Sequence, residues 1–167
     1  RAGHPYVKKF IEERELTVII MADMSGSGSF GTRNKMKVEL MAEIGAVLSF
    51  SAVKNNDKIG LLLFTDKVEK FIPPKKGRPH VLRVIRELLY YKPESRKTSI
   101  NSALEYLGKI LKKRAVIFLM SDFIDTGYER LLGILNKRHD IIGISISDPR
   151  EKELTNIGLV QFEDAET

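Results

Sequence analysis

The chain contains four short, nearly unbroken runs of apolar residues, each about as long as a β-strand. The runs cover residues 16–22, 59–64, 115–120 and 141–146. Because apolar and polar positions hardly alternate within them, we predict four strands, of which the first three are buried on both faces. Such strands are typical of a parallel sheet with helices packed on both sides.

The segments between these runs carry apolar residues three and four positions apart, which indicates amphipathic helices. Helices are predicted at about residues 35–53, 79–91, 98–113 and 128–137. Small residues at positions 42, 45 and 46 would let the first helix lie close to the sheet. The residues of this helix predicted to face the core are Met36, Leu40, Ile44, Val47 and Leu48.

Two further strands complete the predicted sheet. One covers residues 68–72, and Pro73 and Pro74 are expected to stop it. Its link to the preceding strand is short enough for a hairpin, so this strand is predicted to lie antiparallel at an edge. The last strand is predicted at residues 158–162. The expected fold is α/β: a doubly wound, Rossmann-like and mainly parallel central sheet with helices on both faces and one antiparallel edge strand.

The composition fits one globular domain. The 167 residues are 43% apolar and 30% charged, enough for a real core. We expect a single domain over residues 1–167, and a piece of a longer protein, because the first residues resemble the middle of a chain. Cysteine is absent, which excludes disulfides and thiolate sites. His4, His80 and His139 lie far apart in sequence and are interpreted as surface or loop residues.

The net charge of +6 raises the question of nucleic acid binding. The basic residues cluster at positions 75–78 and 112–114, without interleaved aromatic residues. We therefore interpret both clusters as solvated surface, the second at the end of a helix where cations suit the dipole. No nucleic acid partner is predicted.

Polar side chains follow the predicted strands at the sheet edge where ligands bind in open α/β folds. Asp23, Ser25 and Ser27 come directly after the first strand, Thr98 opens a helix, and Asp122 follows the strand that ends at Met120. Together they offer five hard oxygen ligands, which favour Mg²⁺, Mn²⁺ or Ca²⁺. Each also has a simpler interpretation: Asp23 could form an Asx turn, the serines could fill a turn, Thr98 could cap its helix, and Asp122 could be a polar loop residue.

The glycine-rich loop after the first strand leaves a nucleotide-dependent function as the alternative hypothesis. Gly26 to Gly31 match the letters GxGxxG and the glycine spacing of a Walker A motif. However, Asp23 lies where a pyrophosphate would approach, and Thr32 occupies the position of the Walker lysine. A Mg²⁺-dependent phosphotransfer enzyme would need a second acid, and Ser25 occupies that position. We therefore predict no catalytic residues and no enzymatic activity.

The pattern Asp23-x-Ser25-x-Ser27, with Thr98 and Ser121-Asp122, resembles the metal-ion-dependent adhesion site (MIDAS) of von Willebrand factor A (vWA) domains. This resemblance implies that Ser25, Ser27 and Thr98 bind the ion directly, whereas Asp23 and Asp122 act through water. Gly28 departs from the methionine that is common in these domains, but it is not a ligand position.

The sequence also resembles the bacterial domain of unknown function family number fifty-eight, which accompanies MoxR-type AAA+ ATPases. The resemblance covers most of the chain. It rests on the segments 10–16, 57–64, 72–74, 121–123, 138–140 and 148–151. It implies a metal-dependent protein-interaction module on the cytoplasmic face, in a longer protein that members often anchor through membrane helices. The implied partner is a MoxR-type ATPase or its client, offering an acidic side chain, in protein assembly or maturation.

Overall fold

The computed structural model describes residues 15–26 and 32–147 and confirms the predicted α/β fold over this range. Five strands form one sheet in the order β3-β2-β1-β4-β5. Strand β3 pairs antiparallel with β2 at one edge, and the other neighbouring pairs are parallel. In chain order the elements are β1 (Thr17–Asp23), α1 (Thr32–Lys54), β2 (Lys58–Phe64), β3 (Val68–Lys75), α2 (Arg78–Tyr90), α3 (Ile100–Ile110), β4 (Val116–Ser121), α4 (Glu129–Asn136) and β5 (Asp140–Ser145).

The central strands are buried because helices cover both faces of the sheet. Ile20 and Ala22 of β1 belong to the core beneath α1 and α2, whereas Ile19 and Met21 belong to the core beneath α3 and α4. The alternation of side chains along a strand explains this division. Asp23, at the carboxyl end of β1, lies opposite Phe64 of β2.

Helix α1 contacts the sheet through a face that matches the predicted one only in part, because Ile44 and Leu48 pack against the core as expected. Met36, Leu40 and Val47 are exposed, whereas Met41 and Ala42 are buried in the core. A Cβ atom added at Gly45 would lie 2.4 Å from the Leu88 side chain. The small residues thus select the buried face because they allow α1 and α2 to pack closely against each other.

The prediction that Pro73 and Pro74 end β3 was wrong, because the strand continues to Lys75. An edge strand accepts proline, since one side of its backbone needs no hydrogen-bond partner. The pairing with β2 is irregular here, with a register shift between Ile59 and Leu61. Gly60 lies at this shift, and a Cβ atom there would lie 2.9 Å from the carbonyl oxygen of Ile72.

Two further expectations needed correction, and one lies outside the described residues. Helix α3 is shorter than predicted at both ends, and residues 112–114 follow it rather than form its last turn. His139 is buried, with 2% of its surface exposed, and its Nδ1 accepts a hydrogen bond from the Ala115 amide. It connects the end of α4 to the start of β4, which explains its burial. The strand predicted at residues 158–162 falls outside the described range.

Candidate metal centre

Asp23 and Ser25 form a tight turn at the carboxyl end of β1. The Oδ1 atom of Asp23 accepts hydrogen bonds from the Ser25 amide, at 2.9 Å, and from the Ser25 hydroxyl, at 2.5 Å. Both residues are buried. The Asx turn that was the simpler interpretation of Asp23 is therefore present, and the other carboxylate oxygen makes a further contact.

The second oxygen of Asp23 is bound from the neighbouring strand. Ser121, the last residue of β4, donates its hydroxyl to Asp23 Oδ2 at 2.6 Å and is fully buried. Burial raises the pKa of Asp23 above its ordinary range, and the hydrogen bonds from Ser121 and Ser25 partly oppose that shift. The Asp23 carboxylate is therefore held by hydroxyl donors in a place that water hardly reaches.

Thr98 joins this cluster from the segment that precedes α3. Its hydroxyl donates a hydrogen bond to the Ser25 hydroxyl, which in turn donates to Asp23. Thr98 is not the helix cap, because the Ser99 hydroxyl accepts from the Ser102 amide instead. The Ser99 amide donates to the Thr65 carbonyl at 2.9 Å, and this bond fixes Thr98 next to the end of β2.

The loop after β4 is attached to the same end of the sheet. Asp125 accepts a hydrogen bond from the Ile100 amide at 2.8 Å, so this loop is tied to the start of α3. Phe123 adopts a positive φ of 57°, which is unusual for a residue with a side chain. The chain turns sharply here, so the Phe123 amide donates a hydrogen bond to the Ser121 hydroxyl, two residues earlier.

Asp122 faces a lysine on α1. Its Oδ2 atom lies 3.5 Å from Lys37 Nζ, and its Oδ1 atom accepts from the Ile124 amide at 3.2 Å. Only 6% of the Asp122 side chain is exposed. The positive charge of Lys37 also reaches Asp23, where it lowers the carboxyl pKa slightly against the effect of burial. Lys37 therefore interacts electrostatically with both aspartates of the predicted site.

The structure thus brings Asp23, Ser25 and Thr98 into one chain of hydrogen bonds and places Asp122 directly after β4, the strand that pairs with β1. Ser27, the fifth predicted residue, and most of the glycine-rich loop lie outside the described residues. In the described ranges, no three acidic or histidine side chains cluster to hold a metal. A site here would depend on hydroxyl oxygens, and hydroxyl and carboxylate donors on separate loops fit a hard divalent cation such as Mg²⁺ or Mn²⁺.

Sequence reasoning missed three residues that organise this region. Ser121 was part of the matched motif but had no assigned role, and Asp125 carried no recognisable pattern. Lys37 could have been found from helical spacing, because it precedes the buried Met41 by four positions and so lies on the same face of α1.

The sequence of the chain is similar to that of longer mycobacterial proteins. An uncharacterized protein of Mycobacterium tuberculosis is 28% identical over 170 residues, and the match covers 100% of this chain and 54% of that protein. The chain therefore spans about half the length of this relative.

In the described part of the chain, no helix has both the length and the apolar character needed to cross a membrane.

Two solved structures show the same architecture. An aerotolerance-related membrane protein from Bacteroides fragilis superposes with a TM-score of 0.62 at 15% identity, covering 80% of this chain and 69% of that one. The manganese-loaded TRAP protein of Plasmodium vivax gives a TM-score of 0.55 at 19% identity, covering 89% and 65%. These similarities establish a vWA-like fold. The family model described as protein of unknown function DUF58 matches residues 1–167, and the chain belongs to that family.

Proposed function

We propose that this protein is a non-catalytic interaction module that binds its partner through a divalent metal ion. The observation that carries the proposal is the hydrogen-bond chain from Thr98 through Ser25 to Asp23. It collects three oxygen-bearing side chains from two separate segments at the carboxyl ends of the strands. In open α/β sheets this edge is where ligands bind.

The proposed ligands divide by charge. Ser25, Ser27 and Thr98 bind the ion directly through neutral hydroxyls, whereas Asp23 and Asp122 act through water. Asp23 is suited to that indirect role because Ser25 and Ser121 already occupy both of its oxygens. When bound, the ion supplies an electrophilic position that favours an anionic oxygen. An aspartate or glutamate of the partner is therefore the proposed last ligand.

Calorimetry with Mn²⁺ on the wild-type protein and on Thr98→Val tests the metal site. Valine keeps the shape of the side chain but removes the hydroxyl, so binding should weaken at least about tenfold, as expected for loss of a metal ligand. Thr126→Val is a matched control, because Thr126 is exposed and lies in the loop before α4. Equal Mn²⁺ affinity in wild type and Thr98→Val would contradict the assignment.

We further propose a MoxR-type AAA+ ATPase, or its client, as the partner, and the cytoplasm as the compartment, in a process of protein assembly or maturation. The support is the resemblance of the chain to vWA domains that accompany such ATPases. Binding kinetics with the candidate ATPase, first in Mg²⁺ and then in EDTA, test this proposal. Unchanged affinity in EDTA would show that another surface mediates the contact.

A further inference from the structure

Lys37 carries a buried ammonium group that has no hydrogen-bond partner among the described residues. Its Nζ atom is shielded from solvent, and only 16% of its side chain is exposed. Burying an ammonium group is costly unless an opposite charge compensates for it. The compensating charge here is Asp122, whose Oδ2 atom lies 3.5 Å away.

The position of Lys37 relates it to the whole candidate metal centre. Lys37 lies on α1, whereas Asp122 follows β4 and Asp23 ends β1. The lysine attracts both carboxylates, directly at Asp122 and over a longer distance at Asp23. Because both carboxylates are shielded from water, a nearby positive charge stabilises them more than it would at the surface.

We infer that Lys37 is an internal counter-ion of the aspartates and competes with the divalent cation for Asp122. The inference rests on the proposed function. An ammonium group this close to Asp122 repels a divalent ion that uses the same carboxylate. Lys37 therefore leaves Asp122 and becomes more accessible when the ion binds. The site has two states, one with the lysine in contact with Asp122 and one with the metal bound.

The same contact also allows a second role for Lys37, which predicts the opposite change in metal affinity when the lysine is removed. A lysine that only orients the Asp122 carboxylate would assist metal binding, so its removal would weaken affinity. A competing lysine obstructs metal binding, so its removal strengthens affinity. The direction of the change therefore separates competition from positioning.

The decisive variant is Lys37→Met, which keeps an unbranched side chain of similar length but removes the charge. Calorimetry should show Mn²⁺ binding about tenfold tighter than in wild type, a conservative figure for removing a like charge at this range. The matched control is Lys35→Met, on the same helix, where Lys35 is exposed and pairs at 4.0 Å with Glu39. Its affinity should stay close to that of wild type.

The outcomes distinguish the two proposals. If wild type binds Mn²⁺ and Lys37→Met binds equally or more weakly, the inference is overturned while the metal site remains. If Lys35→Met tightens binding as much as Lys37→Met, the effect is one of net charge and the inference is also overturned. If neither wild type nor Lys37→Met binds, the proposed function fails together with the inference.

A measurement on the wild-type protein keeps the test independent of how the variant folds. Lysines are acetylated briefly in EDTA or in saturating Mn²⁺, and the rate at each site is determined by mass spectrometry. Lys37 should react slowly in EDTA and several times faster with the metal, while Lys35 reacts at the same rate in both. A Lys37 rate that does not respond to Mn²⁺ would overturn the inference.

Discussion

The Ser121 hydroxyl donates a hydrogen bond to the Asp23 carboxylate at 2.6 Å, across the adjacent ends of β4 and β1. Both residues are fully buried, at the ends of the central strand β1 and its neighbour β4. Ser25 binds the other oxygen of the same carboxylate. Asp23 is therefore fixed from both sides by hydroxyl donors, and its orientation toward Ser25 and Thr98 depends on Ser121 as much as on its own loop.

Removing the Ser121 hydroxyl should lower both stability and metal affinity. In Ser121→Ala the buried Oδ2 atom of Asp23 loses its donor, which costs about 1–3 kcal/mol in the free energy of unfolding. Urea denaturation in EDTA measures this loss, and Mn²⁺ calorimetry measures the affinity. Ser51→Ala, at an exposed position of α1, should change stability by no more than about 0.5 kcal/mol. Wild-type stability of Ser121→Ala would show that the hydrogen bond contributes little.

Glu69 of β3 should act on the site at a distance, because it fastens the segment before Thr98. Its carboxylate accepts hydrogen bonds from the Glu94 and Ser95 amides and from the Thr65 hydroxyl. Glu69→Ala should release residues 92–97, speeding limited proteolysis there and weakening Mn²⁺ binding several-fold through Thr98.

The control for this prediction is Glu94→Ala, which keeps the backbone amide that Glu69 binds. It removes only an exposed ion pair with Lys67, and such pairs contribute little to stability. Proteolysis and Mn²⁺ affinity should stay close to those of wild type. If Glu69→Ala and Glu94→Ala behave alike, Glu69 does not position the segment.

The strands could be predicted from sequence because each forms a nearly unbroken apolar run, but the run does not by itself show burial, since β5 at the sheet edge is largely exposed. The face of α1 could be predicted only in part: Ile44 and Leu48 pack against the core as expected, but the predicted Met36 is exposed and Met41 is buried instead. The spacing of apolar residues along a helix cannot by itself show which of its faces packs against the sheet. The choice depends on close contact at Gly45 with Leu88 of α2, which is a tertiary effect.

In the candidate site, too, the local contacts could be predicted from sequence and the contacts between distant segments could not. The contact of Ser25 with Asp23 is local and follows from their spacing on a turn. The contact of Lys37 with Asp122 joins two elements that are far apart in sequence, and it depends on the face that α1 turns toward the sheet. A motif based on strand ends identifies the oxygen ligands, but it gives no information on the cation that faces them.

Two glycines should respond in opposite directions to the same substitution. At Gly60 in β2, an added Cβ would lie 2.9 Å from both Ile19 Cδ1 and the Ile72 carbonyl oxygen. Gly60→Ala should therefore destabilise the protein by about 1–3 kcal/mol. At Gly133 in α4 no atom lies within 4 Å of the added Cβ, so Gly133→Ala should stabilise by about 0.5–1 kcal/mol. Urea denaturation measures both, and equal effects would contradict the packing at Gly60.

His139 should make stability depend on pH just below neutrality. Its Nδ1 atom accepts the Ala115 amide, so the neutral ring carries its proton on Nε2, which is buried. Burial lowers the pKa of His139, and the charges of Arg138 and Arg114 lower it further. A proton on Nδ1 would place two donors against each other and break the bond to β4.

The sign of this dependence follows from proton uptake. An unfolded histidine binds a proton with a pKa of about 6.5, whereas the folded state resists protonation until a lower pH. The unfolded state therefore binds more protons in that interval, and the free energy of unfolding falls as pH decreases below about 6.5. Urea denaturation between about pH 7.5 and pH 5 should show this loss in wild type, and His139→Gln should abolish most of it. An unchanged slope in His139→Gln would assign the pH dependence to other groups.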